Sequence, residues 1–274
     1  MNDMTVYLIR HGETDYNKQR RLQGQSDIAL NEYGRELAAL TGEKLKHIQF
    51  DYVFSSPLTR ARETAEILLG AQESPQMQES PQIQAFPHMQ EYPQMQESPQ
   101  IQETPQIQET PQMQESPQIQ ETPQIHETSH MQEMSDIEKK NISIILDDRI
   151  QEIGFGTFEG LSCHKAHYNI PDPEFMNFFE APEQYHVPEG GESFEDVIRR
   201  TGSFWDELTE NPKYQGKTIL VSTHGCALKA ILANVKHVPV KDFWGKGVHR
   251  NCAVTVVQIR NGEVLVEEEK VVCE

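Results

Sequence analysis

The chain contains no apolar run of ~18 residues, the length that a membrane-spanning helix requires, so no membrane segment is predicted. Positive charge is scarce. Lys and Arg number 24 against 43 Asp and Glu, a formal net charge of −19. Nucleic-acid binding rests on clustered cations, and this balance argues against it. The four cysteines, Cys163, Cys226, Cys252 and Cys273, include no C-x-x-C pair. Neither a zinc site nor a disulfide framework is predicted, which fits a reducing compartment. The chain also lacks a basic-then-apolar leader and opens directly on a strand-like run. The expected location is the cytoplasm.

Glycine, lysine and arginine are all missing from residues 73–132, where the sequence repeats every six residues as ESPQIQ, ETPQIQ and ETPQMQ. Ten units can be counted, and nine carry proline at the third place. Proline at that density removes backbone donors and forbids a continuous helix. Each unit brings one Ile or Met at most, too little to bury against a core. An even period would put Pro and Ile/Met on one face of an extended chain, so a stacked β-solenoid is conceivable. Composition favours disorder with polyproline-II character. The chain therefore reads as one discontinuous domain, residues 1–70 plus 141–274, carrying a low-complexity insertion at 71–140. The sequence names no partner for the repeat.

The remaining residues alternate strand and helix patterns. Thr5-Val6-Tyr7-Leu8-Ile9, Tyr52-Val53-Phe54 and Ile219-Leu220-Val221 are short β-branched or aromatic runs, as in parallel strands buried on both faces. Helical spacing follows in residues 31–48 and 193–208. Ser56 as N-cap with Pro57 at the first helical position predicts a further helix, with Arg60 in its first turn. An Arg260-Asn261-Gly262 turn predicts a closing antiparallel hairpin. The fold class is α/β, a three-layer sandwich around a mostly parallel central sheet. In such sheets the ligand crevice lies beyond the carboxyl ends of the strands. Arg10, His11, Arg60 and His224 all stand at or just after such ends, although 213 positions separate the two histidines. Two arginine forks and two imidazoles in one crevice suit a phosphoryl group.

Six blocks carry a resemblance: LIRHGETDYN, RLQGQSDIALNEYGRELA, VFSSPLTRARETAEIL, LDDRIQEIGFGTFEG, PEGGESFEDV and VSTHG. In this order they resemble the histidine phosphatase superfamily, in its phosphoglycerate-mutase-like branch. The resemblance implies that His11 attacks phosphorus and becomes a phosphohistidine. Arg10, Arg60 and a protonated His224 would stabilise the transferring oxygens. Asn17 and Gln23 match phosphate contacts. Glu152 matches the general acid that protonates the leaving alcohol and then activates water. No metal and no cofactor is implied, and the ligand is a small phosphorylated metabolite.

Mutases of this kind hold a second anionic group and need additional cations. Between residues 155 and 198 the only Lys or Arg is Lys165, against nine Asp or Glu. A phosphomonoesterase is favoured on that ground. Phosphoglycerate-mutase-type transfer remains an alternative, as does a phosphate-binding scaffold that recruits partners through the repeat. No motif names the substrate.

Overall fold

The computed structural model describes residues 3–73 and 142–273. Beyond its first residue the hexapeptide repeat lies outside them, and so does the expectation that it is disordered. The described residues belong to one compact unit.

The strands are β1 (Met4–Arg10), β2 (Tyr52–Ser55), β3 (Ile144–Leu146), β4 (Thr218–Thr223), β5 (Val254–Arg260) and β6 (Glu263–Val271). They form one sheet in the order β3-β2-β4-β1-β5-β6. Pairings from β3 through β2 and β4 to β1 are parallel, whereas β5 and β6 join antiparallel. The mostly parallel sheet is thus as expected. The hairpin between β5 and β6 turns on Asn261 and Gly262, whose φ values of 51° and 85° suit a tight turn of that hand.

The helices are α1 (Asp15–Lys18), α2 (Glu32–Lys44), α3 (Thr59–Glu73), α4 (Asn177–Glu180), α5 (Phe194–Glu210) and α6 (Gly225–Lys236). Alternation along the strands decides which helices cover which face. Val6, Leu8, Ile219 and Val221 point to one side, where Phe204 and Leu208 of α5 and Leu228 and Ile231 of α6 complete the core. Ile9, Val53, Leu220 and Val256 point to the other, against Leu37 and Ala38 of α2 and Ala65 and Leu68 of α3. These are the three layers. A third cluster, rich in aromatics (Phe155, Phe175, Phe178, Tyr185, Phe194, Phe243 and Trp244), packs the connection between β3 and α5 onto the start of α5.

Asn31 caps α2 through Gly34 N at 2.8 Å, and Ser193 with Asp196 forms a reciprocal capping box on α5. The expected start of α3 differs. Ser56 and Pro57 precede the helix, which begins at Thr59. Asp27, from a separate loop, accepts from Thr59 N at 2.7 Å and from Thr59 Oγ1 at 2.9 Å. Ser56 Oγ still accepts from Leu58 N at 3.3 Å in the turn ahead of the helix.

Candidate active site

Sheet register brings the histidines together. β1 and β4 run parallel with Arg10 opposite Thr223, so His11 and His224 leave the sheet side by side. Their ring centroids are 5.1 Å apart. β2 pairs on the far side of β4 with Ser55 opposite Ser222, so Ser56 emerges next to His224. Its Oγ lies 2.8 Å from His224 Nε2. Arg60 follows in the first turn of α3.

His11 is buried, and its Nδ1 lies 2.7 Å from the carbonyl of Gly12. A carbonyl only accepts, so Nδ1 carries the proton and Nε2 keeps a bare lone pair. Burial, then Arg60 and Arg10, push the imidazole pKa well below its usual value. The ring is therefore neutral at physiological pH. Gly12 permits this loop to lie against α2: a Cβ there would stand 2.5 Å from Gly34 O. The Gly12 amide donates to Thr64 Oγ1 of α3 at 3.0 Å.

Arg10 donates through Nη1 to His249 O at 2.5 Å. Arg60, with no exposed surface, donates to Ser26 O at 2.8 Å, Gly24 O at 2.6 Å and Gln23 O at 3.3 Å. Burial lowers the Arg60 pKa to about 10, so it keeps its charge at neutral pH. The loop supplying those carbonyls is held by Glu159, which accepts from Gly24 N, Gln25 N and Ser26 Oγ at 3.0, 2.9 and 2.7 Å. Arg10 Nε, Arg60 Nε and His224 Nδ1 are buried with no hydrogen-bond partner among the described residues.

Burial, followed by Arg60, His11, Arg200 and Arg10, drives the His224 pKa well below the usual value. The free site holds both imidazoles neutral, because two guanidinium groups already supply positive charge in a dry environment.

Glu152 is buried at the N-terminus of α6. Its Oε1 accepts from Ala227 N and Ile153 N, both at 3.0 Å, and its Oε2 accepts from Cys226 N at 3.1 Å. A carboxylate suits the positive end of a helix dipole. A Cβ on Gly225 would stand 3.6 Å from both Glu152 Oε2 and Arg10 Nε, so these two groups face a common space beside the helix start.

Asn17 and Gln23 sit at the edge of this arrangement. Asn17 Oδ1 accepts from Thr14 N at 3.1 Å, and Gln23 Oε1 accepts from Thr14 Oγ1 at 2.8 Å. Both amide oxygens are thus committed to Thr14, which leaves the amide NH2 groups as donors. Sequence reasoning missed Ser56, Thr64, Glu159, Glu192, Arg200 and Asn251. Asn251 donates to His11 O at 2.9 Å. The first five fall within quoted blocks or just after one, but nothing in the pattern gave them partners. No block signals Asn251.

The sequence profile of the histidine phosphatase superfamily (branch 1) matches residues 6–134 and 131–270. An uncharacterised phosphatase PhoE of Bacillus subtilis (strain 168) is 51% identical over 63 residues, 23% of this chain and 33% of that protein. A probable phosphoglycerate mutase GpmB of Erwinia tasmaniensis is 47% identical over 68 residues, 25% of this chain and 32% of that one. These matches span about a third of each relative's length. Phosphoserine phosphatase 1 of Hydrogenobacter thermophilus is 21% identical over 268 residues, 98% of this chain and 92% of that protein. Among solved structures, Bacillus stearothermophilus YhfR superposes with a TM-score of 0.67 at 26% identity, covering 98% of both chains. The profile match covers most of the sequence, and the fold agrees with it. The chain belongs to the histidine phosphatase superfamily, branch 1.

Proposed function

We propose that this protein hydrolyses small phosphomonoesters through a phosphohistidine on His11. The observation that carries this reading is the fixed tautomer of His11 beside three buried, unpartnered nitrogens of Arg10, Arg60 and His224. A buried polar group without a partner costs ~1–3 kcal/mol, and a phosphoryl group supplies acceptors for both guanidinium nitrogens and for His224 Nδ1 once it carries a proton. In the first step, which starts from protonated Glu152, His11 Nε2 forms a bond to phosphorus while the bond to the alcohol oxygen breaks, and Glu152 gives that oxygen its proton. In the second, Glu152 takes a proton from water, whose oxygen bonds to phosphorus as the P–N bond breaks. Phosphate leaves and His11 returns to its starting state. Arg10 and Arg60 face the charge that builds on the non-bridging oxygens. A dianion in the site would also raise the pKa of His224 and favour its protonation at that stage. The NH2 groups of Asn17 and Gln23 add donors at the rim.

The alternative reading is phosphoryl transfer to a second bound phosphoglycerate, and relatives named as mutases keep it open. The acidic stretch between residues 155 and 198 favours water as acceptor. Incubation with a phosphomonoester in EDTA, followed by acid-free denaturation and phosphate analysis, tests the scheme. Wild type should carry phosphate on His11 and release inorganic phosphate; His11→Ala should do neither while remaining folded. Full turnover by His11→Ala would refute the nucleophile, and phosphate appearing on added phosphoglycerate in place of water would favour the mutase.

A further inference from the structure

The block PEGGESFEDV contributes to the family resemblance, yet the reaction above gives it no role. Its Glu192 immediately precedes Ser193, the cap of α5, and Arg200 lies two turns further along that helix. Their side chains are 23% and 18% exposed. Arg200 meets Glu192 fork to fork: Nε to Oε1 at 2.8 Å and Nη2 to Oε2 at 2.9 Å. The outer edges of the same guanidinium donate to Arg149 O at 2.8 Å, Gln151 O at 2.7 Å and Glu152 O at 3.0 Å. All five donors of the side chain are used. Three of the five acceptors are carbonyls of the turn that ends on Glu152.

Glu192 completes the bracket. Its Oε2 also accepts from Gly154 N at 2.9 Å, two residues beyond Glu152, and from Gln25 Nε2 at 3.2 Å. The backbone is thus held on both sides of Glu152 by one ion pair. It is tied through Gln25 to the loop that supports Arg60. Stability alone does not require this arrangement, since a half-buried ion pair is commonly no better than apolar packing. Geometry does require it: only a planar five-donor fork can gather three carbonyls and a carboxylate at once.

We propose that Glu192 and Arg200 are the positioning pair for Glu152, fixing its backbone so that the carboxyl group stands where it can protonate the departing oxygen. The inference rests on the reading of Glu152 as the acid. A displacement of ~1 Å can cost ~100-fold in rate. Here the loss should fall on substrates that need the proton and spare those that do not.

The experiment compares kcat/KM of the full-length protein on p-nitrophenyl phosphate and on glycerol 2-phosphate, whose alkoxide is the poorer leaving group. This constant covers the steps through first release of the alcohol, so slow dephosphorylation does not mask the comparison. The ratio of alkyl to aryl activity is independent of how much protein is correctly folded. Glu152→Gln should lower it by about 100-fold. Arg200→Lys should lower it by about tenfold or more, with aryl activity within a few fold of wild type. In Glu152→Gln, adding Arg200→Lys should lower it no further. Should Arg200→Lys fail to fold, the isosteric Glu192→Gln reads the same ratio and should reduce it by about threefold or more. An unchanged ratio in Arg200→Lys and Glu192→Gln, with a lowered one in Glu152→Gln, overturns the positioning role alone. An unchanged ratio in Glu152→Gln overturns the acid assignment and this inference with it.

Discussion

Replacing Glu159 by Gln should slow the enzyme without touching any residue that meets substrate. The Glu159 carboxylate accepts from Gly24 N, Gln25 N and Phe155 N at 2.9 to 3.0 Å and from Ser26 Oγ at 2.7 Å. An amide keeps one oxygen and turns an NH2 towards the remaining donors. If the nitrogen replaces Oε1, Gln25 N and Phe155 N lose their acceptor; if it replaces Oε2, Gly24 N and Ser26 N do, while the Ser26 hydroxyl turns to accept. Two donors are stranded either way. At ~1–2 kcal/mol each, with water entering from the partly exposed side, the destabilisation comes to ~2–4 kcal/mol. The loop so loosened supplies Gln23 O, Gly24 O and Ser26 O to Arg60. Losing one pre-aimed donor to a developing charge costs ~100- to 1,000-fold, so a guanidinium that is loosened but present should cost ~10- to 100-fold in kcat/KM. On the proposed scheme Arg60 acts on the non-bridging oxygens, hence aryl and alkyl phosphates should fall by the same factor. Urea unfolding gives the stability and initial rates on both substrates give the rest. Undiminished kcat/KM in a protein destabilised by the expected amount would show that Arg60 holds its place without this carboxylate, and the chain of support would be wrong.

Two further outcomes follow from crowding and from burial. Gly225→Ala, at the first position of α6, should remain folded at a cost of ~1–3 kcal/mol from pressing on Val248 Cγ1, 2.9 Å from the new methyl. Its kcat should drop at least about tenfold, since the methyl occupies the space shared by Arg10 Nε and Glu152 Oε2. Wild-type activity would mean that the reacting oxygen passes elsewhere. His249 is buried against Thr255 Oγ1, and burial, then Lys229, lower its pKa to about 4. The unfolded chain binds that proton near pH 6.5, so this contribution to stability is intact above 6.5 and is lost as pH falls towards 4. Between pH 7 and 5, wild type should lose ~2 kcal/mol more than His249→Gln by urea unfolding; equal losses would refute it.

How much of this was legible in the sequence depends on whether partners lie along the chain or across it. β1 and β4 were readable because strands buried on both faces need continuous apolar runs. Arg10, His11 and His224 followed, since residues leaving parallel strands must gather at one edge. The start of α3 was misread because Ser56-Pro57 is a sound local signal. The actual N-terminal acceptor, Asp27, is 32 residues upstream. β6 runs to Val271, well beyond the turn that announced the hairpin, because pairing with β5 continues through Glu267 to Val271. The lowered His224 pKa was not legible in the sequence, because it is set by burial and by Arg60, His11, Arg200 and Arg10, which come from three other segments. The aromatic cluster around Phe178 also lacks a period, being assembled from short turns.

What separates the arginines that face substrate from those that hold the fold is the kind of acceptor each one has. Arg35, Arg149 and Arg200 are paired with carboxylates of Glu63, Asp147 and Glu192. Their charge is cancelled locally, which suits a structural tie. Arg10 and Arg60 are held instead by backbone carbonyls, those of His249 and of the loop at residues 23–26. A carbonyl orients a guanidinium without neutralising it, so the formal charge stays available to an incoming anion. Glu152 and Glu159 do approach Arg60 closely enough to raise its pKa. Glu152 spends its oxygens on backbone N–H groups, and Glu159 on backbone N–H groups and the Ser26 hydroxyl, so neither closes an ion pair with it. The same choice explains why both histidines are neutral: two uncancelled cations in a dry site make a third unfavourable until a phosphoryl dianion arrives. On the proposed reading the phosphoryl group binds first, and it is that anion which makes protonation of His224 favourable.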